Sequence, residues 1–100
     1  MTAFVWVPNL PLVLEFPQDD ADVVGRVFRD LVNGAHCVNF QLRGETVKAL
    51  VNFRLIPVVM ITEDEPSGRP GADQATDAAG RLWLRTSVAD IERDADLPTS

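Results

Sequence analysis

The sequence predicts an α+β fold: a mostly antiparallel sheet of about five strands, one main helix over about 20–33, and a short C-terminal helix over about 88–96. Three observations point there. Apolar residues recur at helical spacing in one long segment only. The period then switches to two through a pair of neighbouring runs, the pattern of a hairpin. The helical segments are separated by a group of strands instead of alternating with them one by one, which favours antiparallel pairing with helices packed on the sheet.

The first run, AFVWVPNLPLVLEF, opens with the β-formers Phe4, Val5, Trp6 and Val7. Pro8 and Pro11 each remove a ladder donor, so the run reads as two short strands around a bend or as one kinked edge strand. Leu12, Leu14 and Phe16 share one face, and Pro17 ends the run. Asp19, Asp20 and Asp22 then crowd the start of the main helix, where cap acceptors and negative charge are favoured. Val23, Val27 and Leu31, with Val24, Phe28 and Val32 beside them, form one broad apolar stripe. Gly25 weakens the helix by about 1 kcal/mol against Ala and could serve close packing. Asn33-Gly34 is a left-handed stop signal.

His36, Val38, Phe40 and Leu42 alternate with Cys37, Asn39 and Gln41, which predicts a strand with one wet face. Arg43-Gly44 reads as a tight turn, and Thr46 to Phe53 alternates again to close a hairpin. The run VVMIT, 58–62, is apolar on both faces and reads as a central or covered strand. Residues 63–80, EDEPSGRPGADQATDAAG, hold no large apolar side chain and read as a flexible acidic Pro/Gly loop within a single domain spanning 1–100. RLWLR then makes a short strand, and Ser87 caps the last helix, with Val88, Ile91 and Ala95 on its packed side.

Composition narrows the function. The apolar fraction is 46%, enough for a core, although a chain of 100 residues leaves a thin stability margin that oligomerisation would widen. The net charge of −6 disfavours a sequence-independent grip on nucleic acid or on an anionic membrane surface. The middle of the chain is mildly basic, with Arg26, Arg29, Arg43, Lys48 and Arg54, and both ends are acidic. All basic residues but Lys48 are Arg, as a GC-rich genome produces; this favours a phage or actinobacterial source. Cys37 stands alone, so no intrachain disulfide forms. No basic leader and no apolar run long enough to span a bilayer is read, and the expected compartment is the cytoplasm.

Few residues assemble into chemistry. His36 and Cys37 are adjacent in a strand, so they point to opposite faces and cannot act as base and nucleophile. One His and one Cys fall short of a structural zinc site. Asp19-Asp20-x-Asp22 lacks the glycine and terminal Glu of a calcium loop, and Glu63-Asp64-Glu65 reads as solvated loop. Gly68-x-x-Gly71 lacks the Lys-Ser/Thr and strand-to-helix setting of a phosphate loop. Arg43, Lys48 and Arg54 make a modest basic set around the hairpin and are the candidate phosphate-contacting residues; Lys48 and Arg54 share a strand parity. An apolar surplus is the more informative feature. Trp6, Leu10, Val13, Leu50 and Trp83 turn away from the main core, so they form an association surface or lie under a second layer.

From Gly44 onward, ETVKALVNFRLIPVVMITEDE and GRLWLRTSVADIERDA resemble small flagellar-operon proteins of the FlbD type and, more distantly, LytTR DNA-binding domains. The resemblance covers about half the chain, carries no functional residue over, and implies transcriptional regulation as an alternative. The reading is of a non-enzymatic interaction protein without catalytic residues, metal or cofactor. It would self-associate and engage a protein partner through Trp6, Leu10, Leu50 and Trp83. The alternative is a nucleic-acid- or nucleotide-binding regulator using the basic set.

Overall fold

The computed structural model describes residues 2–8, 10–31, 34–56, 58–71 and 73–95. In chain order these form β1 (Ala3–Trp6), β2 (Leu12–Phe16), α1 (Ala21–Leu31), β3 (Ala35–Leu42), β4 (Glu45–Asn52), a single 3₁₀ turn (Phe53–Leu55), β5 (Met60–Thr62), β6 (Leu82–Arg85) and α2 (Val88–Asp94). The fold is α+β, with a six-stranded mixed sheet in the order β4-β3-β6-β2-β1-β5. Every neighbouring pair is antiparallel except β2 and β6, which run parallel.

The two prolines of the first run fall in the connection between β1 and β2, where the missing N–H groups cost no ladder bond. The bend reading therefore holds, and separating β1 from β2 raises the strand number to six. The hairpin of β3 and β4 pairs across eight residues, from Leu42↔Glu45 to Ala35↔Asn52. Its two-residue turn has φ of +51° at Arg43 and +82° at Gly44, the left-handed pair that matches strand twist in a tight hairpin. The apolar run 58–62 departs from expectation. It shortens to three strand residues at the sheet edge beside β1, with Met60 exposed and Ile61, next to Gly25 of α1, packed on the core together with Val59.

One face of the sheet carries both helices. Val24, Val27, Phe28 and Leu31 of α1 are buried against Val5, Leu14 and Phe16, and Phe28 meets Phe16 and Phe53 edge-on at 6.2 and 5.7 Å. Burying such side chains contributes about 1.5–3 kcal/mol each. The acidic cluster before α1 caps two helices. Asp20 Oδ1 accepts the Val23 N–H at 2.9 Å at the start of α1, and Asp19 Oδ2 accepts the Val88 N–H at 2.9 Å at the start of α2. Ser87 Oγ accepts the Asp90 N–H at 3.1 Å, as its spacing predicts. The expected helix stop falls partly on 32 and 33, outside the described residues, and Gly34 is not in the left-handed region.

The opposite face is apolar as well: Phe4, Val13 and Trp83 are buried there with Trp6 half-buried beside them. Its cover is the 63–80 loop. Among its described residues that loop has no regular element beyond the Thr76↔Leu82 bridge, yet it is tied to the sheet through Arg69, Asp77 and Arg81.

Candidate functional site

Cross-strand register sets the outer face around the loop. Gln41↔Arg85, Glu15↔Arg85, Phe4↔Glu15 and Phe4↔Thr62 are directly opposed, so these residues form one row across five strands. Glu15 sits in the middle of that row with its side chain 13% exposed. A carboxylate this enclosed requires partners, and the loop supplies one. Arg69 donates to both Glu15 oxygens at 3.1 and 3.2 Å and to Glu65 at 2.6 Å, and its guanidinium lies 5.0 Å from the Trp83 ring centre. These carboxylates, Glu15 first, push the Arg69 proton affinity above its ordinary value. Arg85 approaches Glu15 from the other side at 3.5 Å.

Asp77 anchors the far end of the loop. Its Oδ2 accepts the Trp83 indole N–H at 2.9 Å and the Arg81 Nε–H at 2.7 Å, and its Oδ1 accepts the Ala79 and Arg81 backbone N–H groups, each at 2.9 Å. The indole bond first, and then Arg81, outweigh the opposing effect of burial and lower the Asp77 pKa from 3.8 to about 2.

β3 and β6 pair only at Gln41↔Arg85 and then diverge. On the helix side Asp94 of α2 fills the gap, accepting the free Asn39 N–H at 3.1 Å. On the loop side the divergence opens a cleft of about 370 Å³, lined by Arg43, Arg69, Arg85, Glu15, Gln41, Gln74 and Trp83 among others. Arg43 reaches the loop from the hairpin tip, donating to the Asp73 carbonyl at 3.1 Å.

A second feature lies at the sheet edge. The Phe53 N–H donates to the Gly34 carbonyl at 3.1 Å, which fixes the parity of the hairpin ladder. Odd-numbered residues of β4 bond to β3, so the N–H and C=O groups of Thr46, Lys48, Leu50 and Asn52 point outward from the sheet. Leu50 stands at 75% exposure beside the exposed Cys37, its partner on β3. The inner face of β4 is only half-buried at Ala49 and Val51. Those two side chains border an apolar cavity of about 230 Å³ that runs to Phe28, Phe40 and Phe53.

The residues expected to form one apolar surface are thus divided. Trp83 is buried under the loop and Trp6 is half-buried next to it, because the acidic loop, not a helix or strand, supplies the second layer. Leu10 is exposed in the β1–β2 connection and Leu50 is exposed on β4. The basic set is divided too. Arg43 lies in the hairpin turn, Lys48 in the middle of β4 and Arg54 in the 3₁₀ turn, at opposite ends of a strand about 25 Å long. The 3₁₀ turn also breaks the parity expected to align Lys48 with Arg54.

His36 and Cys37 do face opposite ways, the imidazole against Phe53 at 6.0 Å and the thiol exposed. Sequence reasoning missed Glu15, Arg69, Arg85 and Asp77. The legible signal was Glu15, a lone acid on an otherwise apolar strand whose burial would demand an arginine. Among the described residues, no group of three or more His, Cys, Asp or Glu is placed to hold a metal ion, and no helix is long and apolar enough to cross a membrane. In comparison with known proteins the chain matches no family model, no curated protein and no solved structure.

Proposed function

We propose that this chain is a protein-interaction module that self-associates by adding β4 of one copy to β4 of another. The observation that carries this reading is an eight-residue edge strand with outward main-chain groups at four positions and Leu50 exposed among them. Edge strands of monomers are usually blunted by proline, a bulge or several charges. Within β4 only Lys48 and the terminal Glu45 are charged, and proline is absent.

The strand is self-complementary in one register. Antiparallel pairing about a two-fold axis at Leu50 sets Leu50 against its own copy, Ala49 against Val51, and Lys48 against Asn52. Shifting by two residues to centre on Lys48 would oppose two ammonium groups and is disfavoured. In the favoured register the even-numbered residues, whose backbone groups point outward, meet one another, so a continuous sheet of twelve strands forms from two sheets of six. It also extends cover over the half-buried side chains of Ala49 and Val51. A strand-to-strand contact is smaller than a standard interface of about 1,600 Å², so the expected dissociation constant is on the order of micromolar.

Sedimentation equilibrium of the wild type and of Leu50→Lys tests this. The wild type should pass from monomer to dimer with rising concentration. Leu50→Lys should stay monomeric with an unchanged Tm, because Leu50 makes little contact within its own subunit. A wild type that remains monomeric at several hundred micromolar rejects the reading.

A further inference from the structure

The cleft between the hairpin tip and the loop holds more positive charge than the chain requires there. Glu15 is the one carboxylate among its lining residues, and Arg69 already satisfies both Glu15 oxygens. Arg85 adds a single longer contact to the same carboxylate and remains 59% exposed at its side chain. Arg43 makes no ion pair among the described residues. Glu65 and Asp73 stay outside the lining, one bonded to the Nε of Arg69 and the other beside Gly71. In a chain of net charge −6, three guanidinium groups line one cavity of about 370 Å³.

Backbone strain adds a second, independent observation. Arg43 is the non-glycine residue with positive φ among the described residues, at +51°. Asn, Asp or Gly fills that hairpin position at lower cost, since most L-residues lose about 1 kcal/mol or more there. The guanidinium of this strained residue lines the cavity, where its one bond among the described residues, to the Asp73 carbonyl, leaves its remaining donors for a ligand. Gln41 beside it lines the same wall; its Nε2 donates one hydrogen to Thr46 Oγ1 at 3.0 Å and has a second for a ligand.

We propose that this cleft binds a compact dianionic oxyanion, a phosphate or a pair of carboxylates carried by a small molecule. Arg43 and Arg85 supply the charge-assisted contacts. Arg69 is already committed to Glu15 and Glu65 and shapes the floor by lying over Trp83. The planar fork of arginine suits both oxyanion classes. The volume lies at the low end of small-molecule pockets, about 300–1,000 Å³, which sets the scale of ligand at or below a nucleoside monophosphate. This site lies on the covered face and does not depend on β4 pairing.

The test titrates inorganic pyrophosphate and malonate into Trp6→Phe protein, in which Trp83 is the sole indole and lines the cleft. Isothermal titration calorimetry of the wild type runs in parallel, so that a poorly folded Trp6→Phe variant does not decide the result. Saturable binding at low salt is expected for at least one probe, and the tighter probe identifies the source of the oxyanion. Arg43→Asn suits the left-handed turn and keeps the hairpin intact, while Arg85→Gln alters an exposed side chain. Each should weaken binding about tenfold, the effect of losing one charge-assisted hydrogen bond. Arg29→Gln, on the exposed side of α1, should change nothing. Absence of saturation for both probes at 10 mM overturns the proposal. So does binding that survives Arg43→Asn and Arg85→Gln, and so does binding of a single-stranded oligonucleotide without binding of either small probe.

Discussion

Asp77 is an acid in a stretch of sequence that reads as solvated loop, yet its side chain is 1% exposed. Four donors converge on it, and the indole of Trp83 does most to hold its proton affinity down, to a pKa of about 2 against 3.8. The consequence for stability has a definite sign. A folded-state pKa below the unfolded one contributes stability that is complete above pH about 4 and is lost as pH falls through about 2. Asp94 acts in the same direction. Burial raises its pKa, but the bonds from Asn39 and Arg93 outweigh that and leave it below the ordinary carboxylate value. The loop, tied to Trp83 through the Asp77 carboxylate, should therefore loosen as pH falls through about 2. Thermal melts of Trp6→Phe protein, followed by Trp83 fluorescence between pH 5 and pH 2, measure this. Asp77→Asn should lower Tm at pH 7 and flatten the acid slope. An unchanged slope in that variant would assign the acid sensitivity to other carboxylates.

At the scale of elements, the main helix and the long hairpin were legible because a single period runs through each. Valine and leucine at four-residue steps leave α1 one packed stripe, and alternation within each strand of the hairpin, broken on the outer face at Leu50, leaves β3 and β4 one packed face. Caps were half legible. Asp20 occupies its expected place, whereas Asp19 caps α2 across 69 residues of sequence, a partnership that no local pattern encodes. Gly25 allows a sharper argument. It faces β5, but a methyl group built there would meet Ile61 Cδ1 at 3.8 Å, an ordinary contact and not a clash. Close packing therefore does not require the glycine, and its conformational freedom remains as a cost in the helix interior. Gly25→Ala should stabilise the chain by about 1 kcal/mol. For a domain of this size that raises Tm by about 5 °C in a calorimetric scan. A lower Tm would mean that α1 sits tighter on the sheet than this spacing allows.

At the scale of the whole molecule, strand order was the hidden quantity. β6 inserts between β3 and β2, both distant from it in sequence, and sequence periodicity carries no record of that. The same insertion positions Trp83 under the loop, so the apolar surplus read as an association surface became the floor of a second layer. Leu50 escaped because the loop covers the β1, β2 and β6 region and does not reach the outer half of β4. The two layers differ in what holds them. The helix layer is packed by aliphatic and aromatic side chains, whereas the loop is tied by a few polar side chains around Glu15 and Asp77. Layers held so differently should open at different free energies. Native-state hydrogen exchange should show the amides of Asp77, Ala79, Gly80, Arg81 and Trp83 exchanging as one set, ahead of Leu14 and Val38 in the sheet. Arg69→Ala removes the tie to Glu15 but leaves that carboxylate its contact with Arg85. It should speed exchange of the loop set by about tenfold, the effect of losing one charge-assisted tie, while the strand amides keep their protection. If loop and strand amides accelerate together, the loop is part of the same cooperative unit as the core, and acid should then unfold both faces in a single step.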